Sequence, residues 1–367
     1  MPSTLILCAA TATLAVAIAA AMVHRTRRGG RDAVVVVLGD LGHSPRMCLH
    51  AQSLADRFQR EHSARRVRVV SYLVSAPPHR LAAHPFVAFH PLRAPQRITA
   101  ANPLVYVATA ALRILVQLAE LARILFCVLP AADVMLVQNP PAIPTLAVAQ
   151  LVRILRGTRL IIDWHNFGFS IMAMGKSSHS PVVKLAKWYE MTFGRNADGH
   201  LCVTQAMANH LKVEWNITGK CVTLYDRSPS HFRRLSLPEA HDFLTTLEIT
   251  SQHTLATTST TPNFPQTTLL TTRVTPTSMP APTTKRPALI VSSTSWTPDE
   301  DFSILLDALA RYDASAGPRH ADLVVVVTGK GPLKAHYEGL VRGMRWTKVR
   351  VLTAWLRVED YPRLLGE

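Results

Sequence analysis

Residues 34–46 of the chain read VVVVLGDLGHSPR. The four valines and Leu38 form an unbroken apolar run, mostly β-branched, which predicts a strand buried on both faces. Gly39 and Gly42 permit a sharp turn after this strand, and Ser44-Pro45 suits the N-cap and first turn of a helix. A buried strand, a glycine turn and a helix in succession form the repeating unit of an α/β protein.

The same pattern repeats along the chain as far as residue 226. Unbroken apolar strands that alternate with helices predict a doubly wound parallel sheet. The further strands are expected at Val67–Val74, Asp133–Asn139, Arg159–Asn166, His200–Thr204 and Cys221–Asp226, and the helices at Ser44–Arg60, Pro144–Arg156, Pro181–Phe193 and Gln205–Trp215.

The pattern resumes after residue 287 with three further strands before Glu367. A doubly wound nucleotide-binding domain usually has five or six strands. We therefore expect that this domain is completed by something else or that the chain is a fragment. The expected organisation is a membrane anchor with a basic flank (1–31), a first α/β domain (32–240), a disordered insertion (241–286) and an incomplete second α/β domain (287–367).

The expected insertion differs sharply in composition from its surroundings. Residues 245–285 include 16 threonines and five prolines, with Glu248, Arg273 and Lys285 as their charged residues. Such a segment buries too little apolar surface to offset the entropy of ordering, which predicts a flexible linker. A glycosylated stalk is the alternative, and it would require a lumenal location.

The composition of the 367 residues limits the class of protein. Hydrophobic residues make up 48% and charged residues 17%, which excludes a wholly disordered chain. The net charge of +16 favours an anionic partner, but the basic residues are scattered without a nucleic-acid-binding module, so no nucleic-acid partner is expected. Five scattered cysteines without a C-x-x-C pair indicate neither a disulfide framework nor a zinc site, and favour a reducing compartment.

Two apolar stretches bear on membrane association. Leu5–Val23 is long enough to cross a bilayer, and its positive charges follow the apolar run, which favours an anchor with a cytosolic C-terminal part over a cleaved signal peptide. Leu104–Leu129 places Arg113, Gln117, Glu120 and Arg123 on one stripe of an otherwise apolar helix. That second helix is expected either to pack on the sheet or to lie in the membrane interface.

Polar side chains follow two of the predicted strands, at the edge where α/β sheets bind ligands. His43 comes after the first strand, at a helix N-terminus that favours a neutral imidazole, and is a candidate general base; the glycine turn also suits a purely structural role. Asp163, His165 and Asn166 surround Trp164 after another strand, and a hydrogen-bonded turn is the equal alternative. For Glu190 the default expectation is an exposed side chain or an ion pair with Lys187.

The second domain offers two candidate anion-binding features. The hydroxyl cluster Ser292, Ser293, Thr294 and Ser295 suits either helix capping or a nucleotide diphosphate. The turn Gly329-Lys330-Gly331 follows a strand and opens a helix, a suitable place for an anion. Since no carboxylate or histidine cluster has metal-ligand spacing, the site is expected to need no metal.

Seven stretches in order closely resemble the chitobiosyldiphosphodolichol β-mannosyltransferases of the endoplasmic reticulum. Together they cover most of residues 33–235 and 287–366, and the long Thr-rich segment is not part of the family pattern. They are LGDLGHSPRM, IIDWHNFGFS, KWYEMTFGRNADGHLCVTQAM, LYDRSP, SSTSWTPDEDFSILLDAL, TGKGPLK and AWLRVEDYPRLLG.

The resemblance implies a GT-B glycosyltransferase with two Rossmann-like domains, acceptor on the first and nucleotide sugar mainly on the second. Mannose would pass from GDP-mannose to GlcNAc-GlcNAc-diphosphodolichol with inversion, without a cofactor or metal. The reaction would take place on the cytosolic face of the endoplasmic reticulum membrane. Other mannosyltransferases of the cytosolic face are the partners that the resemblance implies. The alternative is a truncated, non-catalytic relative that binds partner transferases or the lipid-linked acceptor. The implied base is His43 or Asp163; the acceptor residues are Gly42, Ser44, His165, Asn166 and Glu190; the donor residues are Ser292, Ser293, Thr294, Ser295, Gly329, Lys330 and Gly331.

Overall fold

The computed structural model of the chain describes residues 32–94, 102–174, 179–228, 231–250, 253–254, 266–297, 300–357 and 359–367. Contacts between residues divide the chain into two compact units. The N-terminal unit ends at Asp226, and the C-terminal unit begins at Arg227. This boundary lies earlier in the chain than the domain end expected at residue 240.

Within the described part of the N-terminal unit, seven parallel strands form one sheet in the order β3-β2-β1-β4-β5-β6-β7. Residues 33–38 of β1 are all buried, as expected for a central strand covered by helices on both faces. The strands are β1 (Ala33–Asp40), β2 (Val67–Tyr72), β3 (Val87–Pro91), β4 (Val134–Asn139), β5 (Arg159–Trp164), β6 (Asn196–Cys202) and β7 (Thr218–Thr223).

Helices connect these strands and cover the two faces of the sheet. A short 3-10 turn, Leu41–His43, joins β1 to α1, and a π-helical turn, Ile124–Val128, continues α3. The helices are α1 (Pro45–Arg60), α2 (His79–Ala82), α3 (Pro103–Arg123), α4 (Thr145–Arg156), α5 (Gly168–Met174), α6 (Pro181–Gly194) and α7 (Gln205–Val213).

Two separate apolar clusters show which helices share a face. One cluster joins Met47 and Phe58 of α1 with Leu81 of α2 beneath the sheet. The other contains Leu121 of α3 and Leu146 of α4, along with residues of α7. Helix α6 packs against α4 on this second face. Strands β1, β5 and β7 end at Asp40, Trp164 and Thr223. Because the strands are parallel, these ends lie at one common edge of the sheet, as the sequence pattern predicts for a doubly wound sheet.

The described residues of the C-terminal unit contain a parallel sheet of three strands, in the order β13-β14-β15, with apolar clusters on both sides. A small antiparallel sheet, β10-β11-β12, and the pair β8-β9 precede it. The elements are α8 (Leu237–Thr246), β8 (Glu248–Thr250), β9 (His253–Thr254), β10 (Gln266–Thr267), β11 (Thr271–Arg273), β12 (Ala281–Pro282), β13 (Ala288–Ser293), α9 (Ser303–Ser315), β14 (Leu323–Thr328), α10 (Lys334–Gly343), β15 (Val349–Ala354) and α11 (Asp360–Gly366).

The segment expected to be a disordered insertion, 241–286, contains ordered structure wherever it is described. Phe243 and Leu244 of α8, together with Leu270, are buried in one cluster with Val324 and Val326 of β14. These few apolar side chains anchor the Thr-rich segment to the second sheet, which is also why the unit boundary precedes α8. Residues 251–252 and 255–265 lie outside the described residues.

The helix predicted over Leu104–Leu129 is present as α3 and its π-helical continuation, and it has two distinct halves. Leu121, Leu125 and Phe126 are buried against the sheet, whereas Val107 and Val116 are exposed. Among the described residues, no helix combines the length and the hydropathy needed to cross a bilayer. The anchor predicted at Leu5–Val23 lies outside the described residues.

Candidate active site

His43 stands at the carboxyl edge of the first sheet, with its ring held by Asp40. The His43 Nδ1 atom lies 2.7 Å from Asp40 Oδ2, and the His43 side chain is 78% exposed. An ionised carboxylate only accepts hydrogen bonds, so Nδ1 carries the hydrogen and the neutral ring presents Nε2 as a proton acceptor. The edge of the sheet thus carries an oriented imidazole whose basic nitrogen is free of this carboxylate.

The Asp40 carboxylate is itself fixed by the loop after β2. The backbone N–H groups of Val74 and Ser75 both donate to Asp40 Oδ1, at 3.1 Å. Burial opposes ionisation, but the hydrogen bonds from Ser75, His43 and Val74 outweigh it and hold the pKa of Asp40 well below its usual range. Asp40 therefore stays charged across the neutral range and keeps His43 in one orientation.

Gly42 and Ser44, expected among the acceptor residues, support this turn from within. A Cβ on Gly42 would lie 2.7 Å from Ser75 Cβ, so glycine permits the close approach of the 74–76 loop that holds Asp40. Ser44 occupies the N-cap position of α1, as predicted, but its hydroxyl donates to the Asp40 carbonyl oxygen at 3.1 Å instead of capping the helix.

Asp163 is fully buried at the end of β5 and is surrounded by donors from two elements. Arg46 of α1 donates through Nε to Oδ2 at 2.9 Å and through Nη2 to Oδ1 at 2.9 Å. His50 Nε2 and His165 Nε2 lie 3.1 and 2.9 Å from Asp163 Oδ2. The predicted proximity of Asp163 and His165 is thus observed, while Arg46 and His50 are additions that the sequence did not reveal.

This environment determines what Asp163 can do chemically. Burial alone would raise its pKa, but the hydrogen bonds from His165, His50 and Arg46 prevail and lower it far below the usual range. A carboxylate so fully bonded is a poor proton acceptor, and it instead holds the two imidazoles with their Nδ1 atoms directed away from it. The geometry favours a positioning role for Asp163.

Arg46 also ties the end of the sheet to the end of the N-terminal unit. Its Nη1 atom donates to the Leu224 carbonyl oxygen and to Asp226 Oδ1, both at 2.8 Å. The guanidinium therefore joins α1, β5 and the segment after β7. The sequence contained one signal for this role. Arg46 is a charged residue at the start of the helix that follows the glycine turn, and a side chain at that position projects toward the sheet edge.

Glu190 is buried, so the default expectation of an exposed or ion-paired side chain is wrong. Its Oε1 accepts hydrogen bonds from Asn139 Nδ2 at 2.5 Å and from the Gly168 N–H at 2.9 Å, and its Oε2 accepts one from the Phe169 N–H at 3.1 Å. Burial raises the pKa of Glu190 despite these bonds. Glu190 thus fixes the start of α5 from inside, beside the exposed Asn166.

Five of the seven expected donor residues of the C-terminal unit, Ser293, Thr294, Ser295, Gly329 and Lys330, line one cavity of about 600 Å³. Lys330 lies on its wall with its ammonium nitrogen 4.0 Å from the centre of the Trp355 ring. Ser292, near the end of β13, and Gly331 are not among the lining residues. The wall is formed by His231, Phe232, Ser293, Thr294, Ser295, Glu300, Thr328, Gly329, Lys330, Trp355, Leu356, Arg357, Tyr361 and Pro362.

The glycines of the 329–331 turn are required by packing against the hydroxyl cluster. A Cβ on Gly329 would lie 1.8 Å from the Thr294 carbonyl oxygen, and one on Gly331 would lie 1.7 Å from that of Ser295. Gly329 also has a φ of 137°, in a region that favours glycine. The two loops are thereby pressed together, and Lys330 projects from their junction into the cavity.

Glu300 is a further residue of this cavity that the sequence did not single out. It accepts hydrogen bonds from the Ser295 N–H at 2.6 Å and from the Thr294 hydroxyl. The Thr294 hydroxyl is therefore committed to a carboxylate in this structure. Among the described residues, no group of three or more His, Cys, Asp or Glu side chains is arranged to hold a metal ion.

The chain is similar to curated glycosyltransferases. No protein-family model matches the chain. The chain is 38% identical over 346 residues to chitobiosyldiphosphodolichol beta-mannosyltransferase of Homo sapiens, covering 93% of this chain and 72% of that protein. It is 36% identical over 352 residues to UDP-glycosyltransferase TURAN of Arabidopsis thaliana, covering 91% and 74%.

Among solved structures, a sucrose-phosphate synthase from Thermosynechococcus elongatus superposes with a TM-score of 0.54 at 9% identity, covering 91% of this chain and 72% of that one. The protein is thus an enzyme, a glycosyltransferase with a GT-B-like α/β fold built on parallel sheets. Within that class, the chain belongs to the chitobiosyldiphosphodolichol β-mannosyltransferase family.

Proposed function

We propose that the protein transfers mannose from GDP-mannose to the distal 4-hydroxyl of GlcNAc-GlcNAc-diphosphodolichol, with inversion, giving a β-1,4 linkage. The observation that carries this proposal is the 38% identity between this chain and the chitobiosyldiphosphodolichol beta-mannosyltransferase of Homo sapiens, over 93% of this chain. The reaction would take place on the cytosolic face of the endoplasmic reticulum membrane, alongside other cytosolic-face mannosyltransferases.

In the proposed reaction His43 is the general base. Its Nε2 atom takes the proton of the acceptor hydroxyl as that oxygen attacks the anomeric carbon of mannose. The bond from that carbon to the β-phosphate oxygen breaks, and GDP leaves with the electron pair. Asp40 stabilises the imidazolium that forms, because its carboxylate already lies 2.7 Å from Nδ1.

The proposed acceptor side of the site is the edge that carries His43, His165 and Asn166. Gly42, Ser44 and Glu190 support it by fixing the two loops, one beside Asp40 and one at the start of α5. Asp163 holds His165 and His50 in place. Acceptor contact is thus proposed for the exposed members of the set and positioning for the buried ones.

The proposed donor site is the cavity of the C-terminal unit. Lys330 and Arg357 supply positive charge for the diphosphate of GDP, and the N-H groups at the start of the 334–343 helix lie just beyond the Gly329–Gly331 turn. Glu300 offers a carboxylate for ribose hydroxyls. With this supply of charge, the proposal requires no metal or cofactor.

The proposal is tested by incubating the full chain with radiolabelled GDP-mannose and a chitobiosyl-diphospho-lipid. We expect one labelled mannose per acceptor, sensitive to β-mannosidase, and no transfer from UDP-glucose. Binding of the lipid acceptor without any transfer would instead support the non-catalytic alternative. Transfer from UDP-sugars in preference to GDP-mannose would contradict the proposed donor.

The role of His43 has its own test. His43→Ala is expected to reduce turnover by about 100-fold or more, the usual scale for a general base. His79→Ala, at an exposed histidine of the same unit, serves as the control. Near-normal turnover of the His43 variant would remove His43 from the reaction, and a loss confined to KM would assign it to binding alone.

A further inference from the structure

Two cysteines on adjacent strands lie in contact near the edge of the first sheet. Cys202 ends β6, Cys221 lies in β7, and their Sγ atoms are 3.7 Å apart. The register pairs His200 with Cys221, and side chains alternate along a strand, so Cys202 lies on the same side of the sheet as Cys221. Both are free thiols, and we call these two residues the thiol pair.

The other described cysteines have different surroundings. Cys48 of α1 is buried, and its thiol donates to the Leu41 carbonyl oxygen at 3.3 Å. Cys127 is exposed on the π-helical turn after α3. Within the described residues, the thiol pair is thus the place where two sulfur atoms meet.

The two sulfurs of the thiol pair differ in their access to solvent. Cys202 is fully buried in an apolar cluster with Leu211 and Trp215, whereas Cys221 is half-buried on β7, the outermost strand of the described sheet. Burial and, after it, the neighbouring Cys221 sulfur raise the pKa of Cys202 to about 12, so Cys202 stays protonated at neutral pH. Cys221 is therefore the sulfur that a reagent in water reaches first, and Cys202 is placed to react next.

We propose that the thiol pair is a site of reversible oxidation, at which a hydroperoxide converts the two thiols into an intrachain disulfide. With hydrogen peroxide, the Cys221 sulfur attacks one oxygen, the O–O bond breaks, one water leaves, and Cys221 becomes a sulfenic acid. The Cys202 sulfur then attacks the Cys221 sulfur, the S–O bond breaks, and the hydroxyl group leaves with the Cys202 proton as a second water. The two thiols lose two electrons, and the peroxide is reduced to two waters.

Formation of this disulfide requires a movement of β7. A disulfide bond is about 2.05 Å long, so the two sulfurs must approach each other by about 1.7 Å. Cys202 lies among closely packed side chains, whereas β7 is bonded to a neighbouring strand on one side within the described sheet, so Cys221 and β7 are expected to move. A disulfide that displaces a strand is strained, and a small thiol reopens it readily.

The end of β7 connects the thiol pair to the candidate active site. The Leu224 N–H donates to the Cys202 carbonyl oxygen, and the Leu224 carbonyl oxygen accepts from Arg46 Nη1, both at 2.8 Å. Arg46 also holds Asp163, which positions His165. Movement of β7 is therefore expected to loosen Arg46 and to lower mannose transfer; this consequence rests on the proposed function, whereas formation of the disulfide does not.

The first experiment tests the disulfide itself. The full chain is treated with hydrogen peroxide, unfolded in urea with N-ethylmaleimide, and digested with trypsin without reduction. We expect peptide 196–212, which contains Cys202, to be joined to peptide 221–227, which contains Cys221, with a mass lower than their sum by two hydrogen atoms. Dithiothreitol should separate them.

Two variants complete this experiment. Cys127→Ser, at an exposed cysteine of the same unit, should leave the linked peptides unchanged, whereas Cys221→Ser should abolish them. Maleimide-labelled Cys202 beside a Cys221 oxidised to sulfinic acid would overturn the proposal, because it would show that the two sulfurs do not join.

The second experiment tests the movement of β7 without reference to activity. Hydrogen–deuterium exchange, resolved to single residues, is measured before and after oxidation. The Leu224 amide, which donates to the Cys202 carbonyl oxygen, should exchange severalfold faster in the oxidised chain and return to its original rate after dithiothreitol. Unchanged exchange in a chain that carries the disulfide would overturn the predicted connection to Arg46.

The third experiment measures transfer of mannose from GDP-mannose. Peroxide should lower transfer severalfold and dithiothreitol should restore it, while Cys221→Ser should have normal transfer that the same treatment does not lower. An equal loss in Cys221→Ser would overturn the effect of the disulfide on activity. Absence of transfer by the untreated chain would instead defeat the proposed function, and the linked peptides would still decide whether the disulfide forms.

Discussion

The Trp164 indole and the His200 imidazole form a buried hydrogen bond of 3.1 Å between adjacent strands. Indole N–H is only a donor, so His200 Nδ1 must accept, and the ring hydrogen resides on Nε2, which lies 2.7 Å from the Thr218 carbonyl oxygen. In its neutral form, the His200 ring thus makes a hydrogen bond through each of its two nitrogens. A second ring proton would face the indole N–H and break the bond.

We expect this pair to make the N-terminal unit sensitive to acid. Burial lowers the pKa of His200, against the opposing effect of the Thr218 carbonyl. The unfolded chain, with a histidine pKa of about 6.5, therefore binds more protons below that pH, and the free energy of unfolding falls as the pH decreases. Urea unfolding followed by tryptophan fluorescence at about pH 7.5 and about pH 5 measures the effect.

The control for this prediction is a side chain that keeps both hydrogen bonds without titrating. His200→Gln should flatten part of the pH dependence, with a remainder from His90, whose pKa burial also lowers. The exposed His79→Gln variant gives the baseline. If His200→Gln retains the full pH dependence, another group is responsible for the acid sensitivity.

Asp163→Asn is expected to destabilise the protein by about 3–5 kcal/mol, the range for removing one partner of a buried ion pair. The substitution leaves the Arg46 guanidinium without its buried carboxylate and removes an acceptor from His50 and His165. Thermal or urea unfolding measures the loss.

The matched control is Asp226→Asn, at the other carboxylate bound by Arg46. Its side chain is 68% exposed, so the change should cost less than about 1 kcal/mol. Equal destabilisation by the two substitutions would show that burial of the Asp163 pair does not determine its strength.

Gly331→Ala is expected to abolish binding of GDP while leaving the N-terminal unit folded. The new Cβ would lie 1.7 Å from the Ser295 carbonyl oxygen, so the two loops that form the cavity wall must separate. Calorimetric titration with GDP measures the loss, and tryptophan fluorescence reports the fold.

Gly339→Ala supplies the contrast within the same unit. Gly339 lies inside α10 with no atom within 4 Å of its would-be Cβ, so alanine should stabilise the helix by about 0.5–1 kcal/mol without changing GDP affinity. Unchanged GDP binding in the Gly331 variant would mean that the junction of the two loops is not part of the nucleotide site.

The buried strands and their parallel order could be predicted because apolar runs such as 34–38 and 323–327 have no polar position that could face water. The shared edge that carries His43 and Asp163 followed from that order. Composition misled for the described parts of 241–286, where three side chains, Phe243, Leu244 and Leu270, are buried in the core of the second sheet.

Other parts of the site could not be predicted, because they depend on distant contacts. Arg46 and Asp163 are 117 residues apart, and no local pattern pairs them. In α6, apolar residues occur on both sides of the helix, so periodicity could not reveal that Glu190 faces inward while Leu185 and Trp188 face outward. The exposed apolar side chains of α6 weakened the signal that normally separates inner from outer sides.

The inward anchoring of Glu190 has a consequence for sequence variation. The carboxylate holds Gly168 and Phe169 from the core side, and none of these bonds involves the outer residues of α5 or α6. Substitutions at Met174, Leu185 or Trp188 can therefore accumulate without moving His165. The outer surface of α5 and α6 is therefore free to vary while the loop beside His165 keeps one shape.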